Sequence, residues 1–318
     1  MIEARELTKT YGSFHALREA SFIARPERVT GLLGHNGAGK TTCLRILTGD
    51  LTPSRGSASV GGRDVLAEPR AARGAAGYLP ESAPSHPEMR VESYLRYRAA
   101  LDRVPARRRA AAVDRAIERC WLGEVRRQRI GRLSKGFRQR VGLAGAILSD
   151  PPVIILDEPA SGLDPAQIVE TRRLLRELAA DKTVLLSSHI LSDVEAACDD
   201  VVILARGRVR AAGPIREVAE RHAPPPTLVA EVRADAEATA ALARELPGAA
   251  LIAAESHGEW TRLTVRTSGD ARESFAAAAR ERSVPIRELT LERPSLERVF
   301  LDLLQPPPAE GAPAEAAA

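Results

Sequence analysis

Apolar residues in this chain gather into short blocks that end on glycine or on acid. Residues 29–33 form one such block and open onto a glycine-rich run; 153–156, 183–187 and 201–205 are three more. Each is short, apolar and bounded by turn residues, which is the pattern of a buried strand. Between them the apolar spacing turns helical, most clearly over 164–180, where Asp164 is placed to cap and Pro165 occupies the first helical position. Strands alternating with helices predict an α/β fold around a mostly parallel sheet. An Arg- and Ala-rich stretch over 91–121 keeps helical spacing and reads as a helical insertion. Its run Arg107-Arg108-Arg109 reads as a solvated helix face, with contact to a partner or to lipid headgroups as the sharper alternative.

The pattern restarts after Pro224-Pro225-Pro226. Strand-like segments at 227–233, 249–254, 260–266 and 284–289 enclose helical ones at 234–246 and 270–282. That βαββαβ order suggests a small α+β, ferredoxin-like sandwich. Residues 294–304 read as an amphipathic closing helix, and the Pro-, Ala- and Gly-rich tail 306–318 as disordered. The expected organisation is a first domain over 1–222, a linker over 223–226 and an accessory domain over 227–305. Within the first domain the helical subdomain is placed at about 82–150, and there is no internal repeat.

Composition narrows the class. With 318 residues, 44% hydrophobic and 28% charged, the chain is globular and long enough for two domains. A net charge of +4 permits an acidic partner without requiring one. The N-terminus lacks the apolar core of a signal peptide, and no run approaches the ~18 apolar residues of a spanning helix. Any membrane crossing therefore falls to another chain. Cys43, Cys120 and Cys198 are far apart, which argues against a disulfide framework or zinc site and fits a reducing compartment. Lys9, Lys40, Lys135 and Lys182 are the only lysines among 46 basic residues. A lysine kept in so arginine-rich a chain suggests a compact point charge in a tight anion pocket.

Lys40 has such a place. Gly34-His35-Asn36-Gly37-Ala38-Gly39-Lys40-Thr41 fits the P-loop pattern, directly after one strand and before a helix at 41–47. Glycines let backbone N–H groups turn into one concavity, and the helix N-terminus adds positive potential there. Lys40 then bridges the β- and γ-phosphates of ATP, the Thr41 hydroxyl ligates Mg²⁺, and Thr42 reaches the α-phosphate. Cys43, one turn into that helix, reads as a packing residue whose alkylation would block nucleotide. A second strand, 153–156, ends in Asp157-Glu158. Asp157 is placed to hold Mg²⁺, while Glu158 points elsewhere because strand side chains alternate, and can polarise a water in line with the γ-phosphate.

The run Leu133-Ser134-Lys135-Gly136-Phe137-Arg138-Gln139-Arg140 lies shortly before that acid-tipped strand. It resembles the signature of ABC ATPases. Tyr11-Gly12 resembles their aromatic A-loop, Gly77-Tyr78-Leu79-Pro80-Glu81 their Q-loop, Ser161-Gly162-Leu163-Asp164 their D-loop and Ser187-Ser188-His189 their H-loop. Seven motifs in one order, across about 1–222, identify a resemblance to ABC cassettes, nearest to the ATP-binding subunits of ABC-2-type exporters of the gliding-motility and drug-resistance kind. The run Pro294-Ser295-Leu296-Glu297-Arg298-Val299-Phe300-Leu301 also resembles the end of such subunits. The fold implied is a P-loop NTPase cassette with a helical insertion.

The resemblance further implies a head-to-tail homodimer with two ATP molecules sandwiched between P-loops and signatures. Ser134 and the Gly136 backbone would meet the γ-phosphate across the interface, Tyr11 would stack on adenine, His189 would sense the γ-phosphate and Asp164 would link the two sites. Hydrolysis would open the dimer and rock an integral membrane permease, with the cassette at the cytoplasmic face of the membrane. Three residues depart from the pattern. Glu81 stands where the Q-loop has Gln, leaving it as a further candidate for Mg²⁺. Lys135 replaces the first signature glycine, facing either the trans ATP or solvent, and Phe137 replaces the Gln. The competing reading, a soluble ABC protein acting on nucleic acid or the ribosome, is disfavoured: one cassette, no long coiled-coil insertion, and only 3% aromatic residues for stacking on bases. No nucleic-acid partner is expected.

Overall fold

The computed structural model describes residues 1–82, 86–222, 225–246, 248–292 and 296–304. It divides into two units, Met1–Val218 and Ala219–Ala318, a boundary slightly ahead of the one expected after residue 222.

The first unit opens with a hairpin, β1 (Ile2–Tyr11) and β2 (Phe14–Ala24), followed by β3 (Arg28–Leu33) and α1 (Lys40–Leu47). Then come β4 (Arg55–Val60), β5 (Arg63–Asp64), α2 (Pro69–Gly74), β6 (Ala76–Leu79), α3 (Val91–Leu101), α4 (Ala106–Arg119) and α5 (Lys135–Ile147). The remainder is β7 (Val153–Leu156), α6 (Pro165–Ala179), β8 (Thr183–Ser188), α7 (Leu191–Ala197), β9 (Asp200–Ala205), β10 (Arg208–Pro214) and α8 (Ile215–His222), the last straddling the boundary.

Six strands form one sheet in the order β10-β9-β3-β8-β7-β6, parallel except where β10 folds back along β9. Its inner strands are covered on both faces, which is why they read as continuous apolar runs. In β7 the side chains divide by the period of two: Ile154 and Leu156 enter the core shared with α3 to α6, while Val153 and Ile155 enter the core around α1. Asp164 caps α6 as expected, its carboxylate accepting the Gln167 N–H at 2.9 Å.

The sequence reading missed a second sheet, antiparallel, in the order β2-β1-β4-β5. Its alternation is broken by register shifts after Ala4, Leu7 and Lys9, with Glu6 in the left-handed region at φ 50, so no clean period of two survives in β1. Helix α1 lies between this sheet and the parallel one, burying Cys43, Leu44, Ile46 and Leu47. Burying each large aliphatic side chain stabilises by about 1.5–3 kcal/mol, so the helix that carries the glycine-rich loop is anchored from both sides.

The second unit comprises β11 (Thr227–Val232), α9 (Ala236–Arg244), β12 (Ala250–His257), β13 (Trp260–Arg266), α10 (Arg272–Glu281), β14 (Ile286–Glu292) and α11 (Leu296–Leu304). The sheet is antiparallel throughout, in the order β12-β13-β11-β14, the ferredoxin-like arrangement expected. Leu228, Val232, Leu242, Leu263, Val265 and Phe275 centre its core. The start of the closing helix at 294, residues 223 and 224 of the linker and the tail 306–318 lie outside the described residues.

Candidate active site

Three neighbouring parallel strands, β3, β8 and β7, deliver their carboxyl ends to one place, and each carries part of a candidate site. After β3 the chain must turn at once into α1. At Gly34 an added Cβ would collide with the Leu204 carbonyl oxygen, and Gly39 adopts φ +107 with the Ala16 carbonyl oxygen where its Cβ would be. Only glycine satisfies both positions. The loop closes with Lys40, 6% exposed, as the first residue of α1. Its Nζ donates to Gly34 O at 2.6 Å and His35 O at 3.4 Å, and lies 3.6 Å from Glu158 Oε1.

The acid pair is held just as tightly. Asp157 N–H donates to Leu79 O at 2.8 Å and Glu158 N–H donates to Ser187 Oγ at 2.9 Å. The Ser187 hydroxyl in turn donates to Asp157 Oδ1 at 2.5 Å. Ser187, fully buried near the end of β8, thus joins the Asp157 carboxylate to the backbone of Glu158. Glu158 leaves the strand in the left-handed region, φ 50, a conformation that costs a non-glycine residue about 1–3 kcal/mol and is kept where its surroundings enforce it. The turn aims its carboxylate between Lys40 and His189, whose Nδ1 lies 2.9 Å from Glu158 Oε2. Gln139, buried in α5, donates to the Glu158 carbonyl at 3.4 Å.

Asp157 is 1% exposed, yet its Oδ2 has no hydrogen-bond partner, the one buried carboxylate oxygen so left among the described residues. A buried anionic oxygen without a donor carries a large desolvation cost, and a hard cation offsets it. The site therefore fits Mg²⁺, with Thr41 on the same cleft as the second protein oxygen.

That cleft encloses about 440 Å³. His35, Asn36, Gly37 and Gly39 line it from the loop, and Lys40, Thr41 and Thr42 from the helix start. Glu81, Asp157, Glu158 and His189 are the other expected residues in its lining. Gly34 and Ala38 stand behind the lining: Gly34 O fixes Lys40, and Ala38 O accepts the Gly207 N–H at 2.9 Å. Sequence reasoning missed Phe14 and Ala16 in the wall, and named Ser161 in the wall and Ser187 behind it only as members of their motifs, without a role. Tyr11 is outside the lining; Lys9 Nζ sits 5.2 Å from its ring centre, and its cross-strand partner Phe14 takes the wall position. The pairing of those two aromatics across a tight turn at Gly12 was the available signal.

Ser134 and Gly136 are not brought to this cleft. Ser134 caps α5, its Oγ accepting the Phe137 N–H at 3.3 Å. Gly136 packs so closely on Gln167 and Leu163 that a Cβ there would collide with the Gln167 side chain. Beside the cleft, burial pushes Tyr78 up to about 12, with the Asp157 charge adding to it, and burial alone pushes the Cys43 thiol up to about 12.

The ABC transporter family model matches residues 17–161. An uncharacterized ABC transporter ATP-binding protein of Bacillus subtilis, YxlF, is 35% identical over 221 residues, covering 70% of this chain and 73% of its own. The human phospholipid-transporting ATPase ABCA7 is 33% identical over 305 residues, 93% of this chain but 14% of that much longer protein. Among solved structures, an ATP-binding subunit of an ABC transporter superposes with a TM-score of 0.65 at 30% identity, covering 70% of this chain and 92% of its own. The chain therefore belongs to the ABC transporter family, as one of its ATP-binding ATPase subunits.

Proposed function

We propose that the chain binds and hydrolyses ATP to drive a membrane exporter of the ABC-2 type, as a head-to-tail homodimer on an integral membrane permease at the cytoplasmic face of the membrane. The observation that carries the catalytic part is the ordered set Lys40, Asp157, Ser187, Glu158 and His189, with one buried Asp157 oxygen left free of protein donors. The triphosphate enters the loop of glycines. Lys40 exchanges its carbonyl contacts for the β- and γ-phosphates, and Thr42 reaches the α-phosphate. Asp157, Thr41 and, from the same cleft, Glu81 would hold Mg²⁺, which supplies charge neutralisation on the phosphates. Glu158 orients the attacking water and accepts its proton, while His189 holds that carboxylate from the side away from Lys40. Phe14, with Tyr11 beside it, offers the adenine a ring face.

Two observations support the two-chain arrangement. The signature residues sit at the N-terminus of α5, away from this chain's own cleft, with backbone N–H groups able to bind a phosphate presented by another chain. In this reading the permease crosses the membrane; no helix among the described residues of this chain is long and apolar enough to do so. A match of 305 residues to the human lipid-transporting ATPase must run through the C-terminal unit, which favours a transporter role for that unit as well.

The test uses Glu158→Gln as bait in native membranes with Mg-ATP. Recovery of a multi-span membrane protein, and an ATP-dependent dimer of the variant, are the expected results. Recovery of ribosomes or nucleic acid without a membrane protein would overturn the exporter reading while leaving the ATP site intact.

A further inference from the structure

Lys135 is the first residue of α5, and its exposed side chain runs along the surface toward the loop after β7. Its Nζ donates to Ser161 Oγ at 3.3 Å. Its methylene stem lies over Gly162, where an added Cβ would meet Lys135 Cδ at 2.6 Å, and Gly162 itself adopts φ +76. The lysine thus crosses the one residue of that loop that has no side chain to obstruct it. Ser161 belongs to the wall of the nucleotide cleft, with Lys40, Glu158 and His189, and its N–H donates to Glu158 O at 3.0 Å. A short chain of hydrogen bonds therefore runs from the backbone of Glu158 through Ser161 to the residue next to the Ser134 cap. Gln139, one turn further along α5, reaches the same Glu158 carbonyl.

We propose that Lys135 is a positioning residue that ties the first turn of the signature helix to the Ser161–Gly162 turn, so that the state of one chain's own cleft reaches the signature it presents to its partner's nucleotide. The proposal rests on the two-chain reading above. Both groups are open to solvent, so the link contributes little to folding stability. Its role is geometric: a cleft that moves Glu158 moves Ser161, and Ser161 moves the N-terminal turn whose amides face the second ATP. Coupling of this kind needs an element that both sites bias, and the turn at 161–162 touches both.

A double-mutant cycle on the full chain tests it. Lys135→Ala, Ser161→Ala and the double variant are assayed for ATP turnover against ATP concentration, and for hydrogen exchange of the segment 158–164 without nucleotide. Each single variant is expected to lower the Hill coefficient toward 1 and to raise the half-saturating ATP concentration by about three- to tenfold, with a smaller change in kcat. The double variant is expected to be no worse than either single one. Exchange at 158–164 is expected to quicken in both singles. Additive losses in the double variant, or cooperativity unchanged by Ser161→Ala, would overturn the proposal and leave Lys135 as a direct phosphate contact. Should Glu158→Gln fail to dimerise with ATP, the two-chain reading itself has failed and the coupling role falls with it. Faster exchange in both singles would then still establish the link inside one chain.

Discussion

The two units of this chain treat buried polar groups in opposite ways. Among the described residues of the C-terminal unit, the buried polar side chains are Thr239, Thr261 and Thr267. Each hydroxyl donates to a backbone carbonyl, of Asp235, Ala234 and Gly269 respectively. Nothing there is buried at an energetic loss. The N-terminal unit buries Lys40, Arg140, Asp157, Lys182 and Asp200. Burying an unpaired charge costs several kcal/mol, so each needs a reason. Three are plain ion pairs: Arg140 with Glu170 at 2.6 Å, Lys182 with Asp150 at 2.8 Å, and Asp200 with Arg28 at 3.1 Å. Asp157 and Lys40 are different. One keeps a carboxylate oxygen with no donor, and the other turns its ammonium onto backbone carbonyls beside a carboxylate. The contrast separates charge paired within the fold, although Arg140 keeps its buried Nε without an acceptor, from charge placed as a ligand site would place it.

Lys40→Ala should break the comparison most severely. Removing the ammonium should lower ATP turnover by about a hundredfold or more, with nucleotide affinity falling as well. Steady-state turnover and nucleotide titration check this, and near-normal hydrolysis would remove Lys40 from the charges placed for a ligand site. The C-terminal unit should show the reverse. A chain ended after His222 should fold and keep ATP affinity within about threefold of the whole protein, since none of the cleft's lining comes from beyond that point. A folded truncation that no longer binds ATP would give that unit a part in the site.

A smaller effect concerns Glu92, at the start of α3. Hydrogen bonds from Arg126 hold its carboxyl down to about 2, with Arg96 adding to the effect. A carboxyl depressed in the folded state stabilises above its unfolded pKa. That contribution is present above about 4.5 and is lost as pH falls toward about 2. Glu92→Gln should therefore lower the urea midpoint modestly at neutral pH and converge with the parent protein as pH falls toward about 2, the effect kept small because solvent reaches its Arg96 and Arg126 partners. The smallest effect is at Cys43. Burial raises its thiol to about 12, so it stays protonated at neutral pH and should resist alkylation in the native protein, labelling only on unfolding. Rapid native labelling followed by mass spectrometry would show the packing around α1 to be looser than described.

Much of the candidate cleft was legible before any coordinates, because its parts are local. A glycine-rich turn between a strand and a helix must sit within a few residues, and an acid pair at a strand end needs only a four-residue apolar run before it. Lys40, Thr41, Asp157, Glu158 and His189 were therefore found by spacing and motif order. The C-terminal βαββαβ order was legible for the same reason: Pro224-Pro225-Pro226 marks the break, and each element carries its own period.

The amino-acid sequence by itself determined the inner strands of the parallel sheet, the element order of the C-terminal unit, which residues make the glycine-rich loop and which carboxylates end the strand. Tertiary structure alone decided what those residues touch. Ile2 pairs with Val60, and Ser187 joins Asp157 to Glu158 from a neighbouring strand 30 residues on. Phe14 instead of Tyr11 takes the cleft wall, and Lys135, whose direction the spacing left open, lies across Gly162 to Ser161. The reason is the range of the interactions. Turn type, capping and apolar period act over a few residues and are written locally. Strand order, register shifts and side-chain hydrogen bonds join positions that only the packed sheet brings within 3 Å.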